Sequence, residues 1–169
     1  MSANDESEPI PVYRAPMRAR DRDAPRFEGA RTGIAEGLVG IGDALGETPD
    51  TLDQAIADAT ATHGEKAGRM LLRFAELPEG EFVWTQTGEN EYRLGRIDGP
   101  WRYETEGRCP GAGIHHVRPA MWLTETFPTP ETPAAVVENF ARGGKNLQRI
   151  NDPSVEPATV EIWEKSAPR

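Results

Sequence analysis

Between Pro78 and Phe82 the hydrophobic period of the chain changes, and this restricts the fold more than any other feature. Before the change, Ala67, Met70, Leu71, Phe74 and Leu77 recur at the spacing of one helix face and stop at Pro78, which cannot continue a helix. After it, Phe82-Val83-Trp84-Thr85 and Tyr92-Arg93-Leu94-Gly95-Arg96-Ile97 run apolar or alternate and are rich in aromatic and β-branched residues. With Gly88-Glu89-Asn90 between them they predict a hairpin. Further short strands are predicted at Trp101-Arg102-Tyr103, at Ile114 to Leu123 and at Leu147 to Ile150. Pro119 inside the longest suits a bulge or an edge, not a central ladder position.

Upstream, Leu52, Ala55, Ile56 and Ala59 form a second apolar helix face. Thr48-Pro49 and Thr51 with Gln54 each offer a start for it, and Gly64 a stop. Gly37-Leu38-Val39-Gly40-Ile41-Gly42 reads as a buried first strand whose glycines admit a close backbone approach. Its continuation to Gly46 approximates a dinucleotide fingerprint, but the repeated βαβ units that fingerprint needs do not follow. Val136, Val137 and Phe140 mark a short helix ended by Gly143-Gly144, and Val160 with Trp163 a last helical turn packed back on the sheet. Helices inserted after a first strand, then strands in a row, predict an α+β fold built on a small mixed β-barrel rather than a wound α/β sheet.

A chain of 169 residues, 37% hydrophobic, has room for one core. No apolar run approaches the roughly 20 residues that span a bilayer, and MSANDESEP lacks the basic and apolar regions of a signal peptide, so a cytoplasmic protein is expected. The lone Cys109 cannot form an internal disulfide or a thiolate metal site and reads as a bystander loop thiol. Residues 1–25 mix charges and prolines with few apolar residues and are expected to be a disordered arm, leaving one domain over 26–165. Within that arm PIPVYRAPMRAR is either solvated tail or a short docking peptide.

The formal net charge of -9 opposes non-specific nucleic-acid binding, which depends on cations displacing phosphate counterions. Asp43, Glu47, Asp50, Asp53, Asp58 and Glu65 precede the first lysine, whereas Arg93, Arg96, Arg102, Arg108 and Arg118 gather in the strand region. A positive face, where present, belongs to the strands.

Catalytic patterns are absent from the sequence: no Asp/Glu-x-Lys tripeptide, no Walker loop, no Gly-x-Ser-x-Gly elbow and no deaminase zinc set. His115-His116 is the one suggestive pair, yet neighbours on a regular strand point to opposite faces and no third ligand is evident. No metal or cofactor is expected. Trp84, Tyr92, Trp101, Tyr103 and Trp122 all fall in the strand region. Such rings either fill a core or stack against a base, the latter worth about 1–3 kcal/mol per base.

The ordered words GIAEGLVGIGDAL, FVWTQ, EYRLGRIDGPWRY, HHVRPAMWL and LQRI, from Gly33 to Ile150, resemble those of the PUA-like superfamily, in particular the EVE-type domains of prokaryotic restriction and defence proteins. The resemblance implies a non-catalytic module that takes a modified DNA or RNA base into an aromatic-lined pocket, here drawn from Trp84, Trp101, Tyr103 and Trp122. His115 belongs to the same words. Relatives with the same word order often carry Trp directly after the Gly-Ile-Gly of the strand, where this chain has Asp43, so Asp43 either accepts a hydrogen bond from an exocyclic amine or marks a pocket that has lost a wall. Arg118 and Arg149, in the His-x-x-Arg and x-Arg-Ile words, either meet a phosphate or pair with nearby acids. A competing reading is an acidic interaction or inhibitor module whose helices or N-terminal arm bind a basic protein by imitating DNA charge. A small enzyme using His115 or His116 lacks a nucleophile and a metal set.

Overall fold

Residues 9–19, 24–144 and 146–167 are described by the structure, a computed structural model. The strands are β1 (Val12–Arg14), β2 (Leu38–Ile41), β3 (Phe82–Gly88), β4 (Glu91–Ile97), β5 (Arg102–Tyr103), β6 (His116–Trp122) and β7 (Gln148–Arg149). They form a single sheet in the order β2-β6-β4-β3-β1-β7, with β5 also paired to β6, and the sheet curls into a half-barrel. Helices α1 (Glu28–Ala35), α2 (Leu52–His63), α3 (Glu65–Glu76), α4 (Ala134–Ala141) and α5 (Val155–Ser166) pack around it, so the class is α+β as the sequence predicts. No helix among the described residues is long and apolar enough to cross a membrane.

The expected arm is the largest correction. Val12–Arg14 is a strand inside the sheet, parallel to β3 (Val12↔Phe82, Arg14↔Trp84) and antiparallel to β7 (Tyr13↔Arg149). Val12, Ala15 and Met17 are buried. A segment with so few apolar residues is ordered because both strand edges find ladder partners and its side chains alternate between two cores. Met17 takes a positive φ of 51°. Its carbonyl lies where a Cβ on Gly29 would stand, 1.8 Å from it, so only glycine lets α1 lie this close. Residues 1–8 and 20–23 of the expected arm lie outside the described residues.

Alternation along β1 and β3 divides the interior. Tyr13, Ala15 and Val83 join Phe74 and Leu77 at the end of α3, with Val39 and Val117. Val12, Phe82 and Trp84 point the other way, toward Val136 and Phe140 of α4 and Val155 of α5. A strand covered on both faces reads as a continuous apolar run, which is why FVWT shows no clean alternation. The hairpin α2–α3 closes on a smaller cluster of Ala55, Ala59 and Leu71. Thr51, not Thr48, caps α2: its hydroxyl accepts from Gln54 N at 3.1 Å, while Gln54 Oε1 accepts from Asp50 N at 2.7 Å.

Pro119 pairs with Leu38 of β2 on one flank only, so it occupies a local edge, as the sequence predicts. On its other flank β4 stops at the Ile97↔Ala120 pair and β5 pairs only as far as Val117. With no strand paired there, no ladder donor is required of the ring nitrogen, and the Pro119 carbonyl accepts from Asp98 N at 2.8 Å in the intervening turn.

Arginines satisfy much of the backbone that the helices leave open. Arg14 donates to the carbonyls of Asn139 (3.0 Å), Gly143 (2.6 Å) and Asn146 (3.3 Å), at and beyond the end of α4. Arg118 donates to Gly99 O at 2.8 Å, to Phe74 O at 3.1 Å and to Leu77 O, at the end of α3. A cation at a helix C-terminus meets orphan carbonyls and the negative end of the helix dipole together. Arg93 and Arg96 likewise donate to Leu123 O and Gly80 O, each at 2.7 Å.

Candidate functional site

The structure brings together only part of the aromatic set. Trp84 is 0% exposed, lies edge-on to Phe127 at 5.7 Å and donates through Nε1 to Thr159 Oγ1 at 3.1 Å. Its truncation would leave a core cavity costing about 3–5 kcal/mol, and its ring is fully enclosed. Trp122 is half-buried: its ring covers Gly95, and Nε1 donates to Leu38 O at 3.0 Å. Neither wall of the expected cage is therefore offered by these two rings. A period of two cannot distinguish a pocket face from a second core face, and β3 has the latter.

Trp101, Tyr103, His115 and Asp43 do meet, where the end of β2, the short β5 and the start of β6 converge. Trp101 stacks on His116 with centroids 6.1 Å apart and donates through Nε1 to His116 Nδ1 at 3.2 Å. Tyr103 stacks on His115 at 5.9 Å, with an interplanar angle of 17°, and meets His116 edge-on at 5.2 Å. Both imidazoles thus touch one phenol ring, against the expectation of opposite faces. His115 precedes the regular strand, so strict alternation does not bind it. The Tyr103 hydroxyl accepts from Leu45 N at 3.0 Å, tying the loop after β2 to β5. His63 at the end of α2 bonds the Ala44 carbonyl at 2.7 Å and anchors the same loop.

Charge in this cluster is set by burial. His116 is 2% exposed, and desolvation first, then the neighbouring His115, push its pKa down to about 4, against a smaller opposing pull from Asp43. His115 is also lowered by desolvation, partly offset by the Asp43 charge. Both rings are neutral at pH 7, and a neutral His116 is what the Trp101 bond requires, because Nδ1 must keep its lone pair. The cluster is therefore two neutral imidazoles interleaved with two aromatic rings beside a carboxylate. Tyr103, His115, Trp101 and Asp43 remain half-exposed.

Two predicted contacts fall elsewhere. Arg118 is 3% exposed and spent on the three carbonyls already named, so it is not available to a phosphate. Its pKa is lowered by desolvation, with Glu79 and Glu81 opposing. Arg149 lies exposed on β7, at the opposite end of the strand order from β2, in a cleft of about 370 Å³ with Arg73, Arg142 and Gln148. Cys109 is a core residue rather than a loop bystander: burial first, then Glu36 and Glu104, push its thiol up to about 11, which leaves it protonated and unreactive. Among the described residues no group of three or more His, Cys, Asp or Glu is placed to hold a metal ion.

Glu81 was not legible as a site residue. It is 8% exposed, its Oε2 is buried without a hydrogen-bond partner, and desolvation raises its carboxyl pKa while Arg149 and Arg118 pull it back. In the sequence it reads as part of the Pro78-Glu79-Gly80 turn, the usual place for a solvated acid.

No family model matches this sequence, and no curated protein matches it. Among solved structures, the chain is similar to the YTH domain of the Zygosaccharomyces rouxii MRB1 protein, determined in complex with N6-methyladenosine RNA. The two are 8% identical, the match covers 95% of this chain and 92% of that one, and the TM-score is 0.42.

Proposed function

We propose that the protein is a non-catalytic binding module that reads a modified base or nucleotide at the edge formed by Tyr103, His115 and Trp101 beside Asp43. The observation that carries this reading is the stacked, half-exposed Tyr103–His115 pair, whose imidazole stays neutral at pH 7. Flat neutral rings next to a negative group suit a base that is apolar on its face and bears amine donors on its rim. The ordered words shared with EVE-type modules favour a setting in defence against foreign DNA. Little of the affinity would come from phosphates, because Arg118, Arg14, Arg93 and Arg96 are turned to interior carbonyls.

The test is a tryptophan-fluorescence titration with short single- and double-stranded DNA and RNA carrying unmodified bases, 5-methylcytosine, 5-hydroxymethylcytosine or N6-methyladenine. Saturable quenching by one modification, weakly dependent on salt and lost in Tyr103→Ala, is expected. Absence of quenching by every probe overturns the reading.

The same inward arginines favour a second one. They leave the surface more acidic than the net charge of -9 suggests, as a module for a basic protein partner requires. In that case charge reversal at Asp50, Asp53 and Asp58 abolishes partner binding and Trp101→Ala leaves it intact.

A further inference from the structure

On the opposite part of the sheet a second site is built from residues that the aromatic cluster does not use. Tyr13 and Arg149 are direct ladder partners and so share a face of the sheet, the face to which Val83 and, two residues before it, Glu81 also belong. Tyr13 and Glu81 line a cleft of about 410 Å³ with Leu72, Leu77, Pro78 and Arg73. Arg73 also lines the neighbouring cleft of about 370 Å³, where Arg142 and Arg149 stand with Asn139 and Gln148. The two clefts share Arg73 in their linings and are therefore adjacent. Each falls in the size range of small-molecule sites, roughly 300–1,000 Å³.

The two ends differ in chemistry. At the first, Leu72 is one of the large apolar side chains left exposed, at 40%, and with Leu77, Pro78 and the Tyr13 ring it gives an apolar surface. Within that surface lies the carboxyl of Glu81, nine-tenths buried, one oxygen of which has no donor. A buried acceptor left unpaired costs about 1–3 kcal/mol and more when charged, so a ligand that brings N–H groups recovers that loss on binding. At the second end, Arg73, Arg142 and Arg149 make no side-chain hydrogen bond or ion pair among the described residues, while Glu138 and Asp152 stand on the same rim. Asp152 is already engaged by Ser154 at 2.8 Å. Three uncommitted guanidiniums in a chain of charge -9 make a local anion site.

We propose that this groove, from Tyr13 and Glu81 past Arg73 to Arg142 and Arg149, binds a guanine nucleotide, with the ring at Glu81 and the phosphate at the arginines. Of the common bases guanine alone presents two adjacent N–H donors on one edge, the arrangement that satisfies both oxygens of a carboxylate. Leu72 and Tyr13 take the ring face. The site is separate from the Tyr103–His115 edge and does not depend on the reading given to it.

Calorimetric titration of the full chain with GMP, AMP and inorganic phosphate at about 0.1 M salt and pH 8 tests the proposal. GMP is expected to bind one site at least tenfold more tightly than AMP and phosphate. Glu81→Gln should remove that preference while leaving phosphate binding unchanged, and Arg73→Ala should weaken all three. Thermal unfolding of each variant separates loss of the site from loss of the fold. Equal affinity for GMP and phosphate, a GMP preference that survives Glu81→Gln, or no binding of any probe at millimolar concentration overturns it.

Discussion

Arg14 on β1 donates through Nη1 to the carbonyl of Gly143, 2.6 Å away, and this contact ties the strand beside the β7 edge to the end of α4. Gly143 and Gly144, at φ of 78° and 102°, bring the chain close enough that a Cβ on Gly144 would stand 2.6 Å from the guanidinium. Arg14→Met keeps the length of the side chain and strands three carbonyls. It is expected to cost about 3 kcal/mol, read from the urea midpoint. A loss under about 1 kcal/mol would mean that water replaces the arginine without penalty.

Gly29→Ala separates a seated N-terminal strand from a loose one. In a helix this change ordinarily stabilises by roughly 0.5–1 kcal/mol. Here the added methyl would meet Met17 O at 1.8 Å. A destabilisation on the order of 2 kcal/mol is expected, as for other overpacked sites. A rise in Tm would show that the segment around Met17 does not lie against α1.

The depressed pKa of His116 sets an acid limit. An unfolded histidine takes up its proton near pH 6.5, the folded ring only near about 4, so between these values the unfolded state binds more protons. The contribution is complete above about pH 6.5 and is lost as the pH falls toward 4, to a total on the order of 3 kcal/mol. Other groups titrate in the same range, so the measure is the difference in unfolding free energy between the protein and His116→Gln across pH 4 to 7.5. That difference should shrink steadily toward acid; a flat difference contradicts the neutral buried ring.

Glu81 has the opposite sign. Its carboxyl is raised, chiefly by desolvation, so the folded state prefers the protonated form and the ionised form is a burden at neutral pH. Glu81→Gln is therefore expected to raise Tm at pH 7, with the advantage closing as the pH drops below the ordinary carboxylate range. Equal Tm values at pH 7 would mean that the carboxylate is already solvated or paired.

What was legible in the sequence was local. Thr51 with Gln54, the stop at Gly64 and the β3–β4 hairpin each depend on residues a few positions apart, and each appears in the structure. What was hidden depends on distant partners. β1 reads as solvated chain because its order comes from β3 and β7, and Arg14 reads as a surface charge because its carbonyl partners lie on another element. The aromatic set was legible as a group but not as a geometry: the strand pattern shows that Trp84 is inward, not that a helix covers that side too. Glu81 carries no signal at all, since burial of a carboxylate at the start of a strand is decided by residues distant in the sequence, Tyr13 and the end of α3 among them.

The parallel pairing of β1 with β3 also orders assembly. Among the described residues β7 has β1 as its one ladder neighbour, and β1 reaches the rest of the sheet only through β3. During synthesis the Val12–Arg14 segment emerges early and has no partner until the hairpin is made, and the β7 edge cannot close until that strand has inserted. The Val12–Arg14 segment therefore waits unpaired until β3 and β4 are made, and an extended peptide that reaches the edge of β3 before it does blocks the sheet at that step.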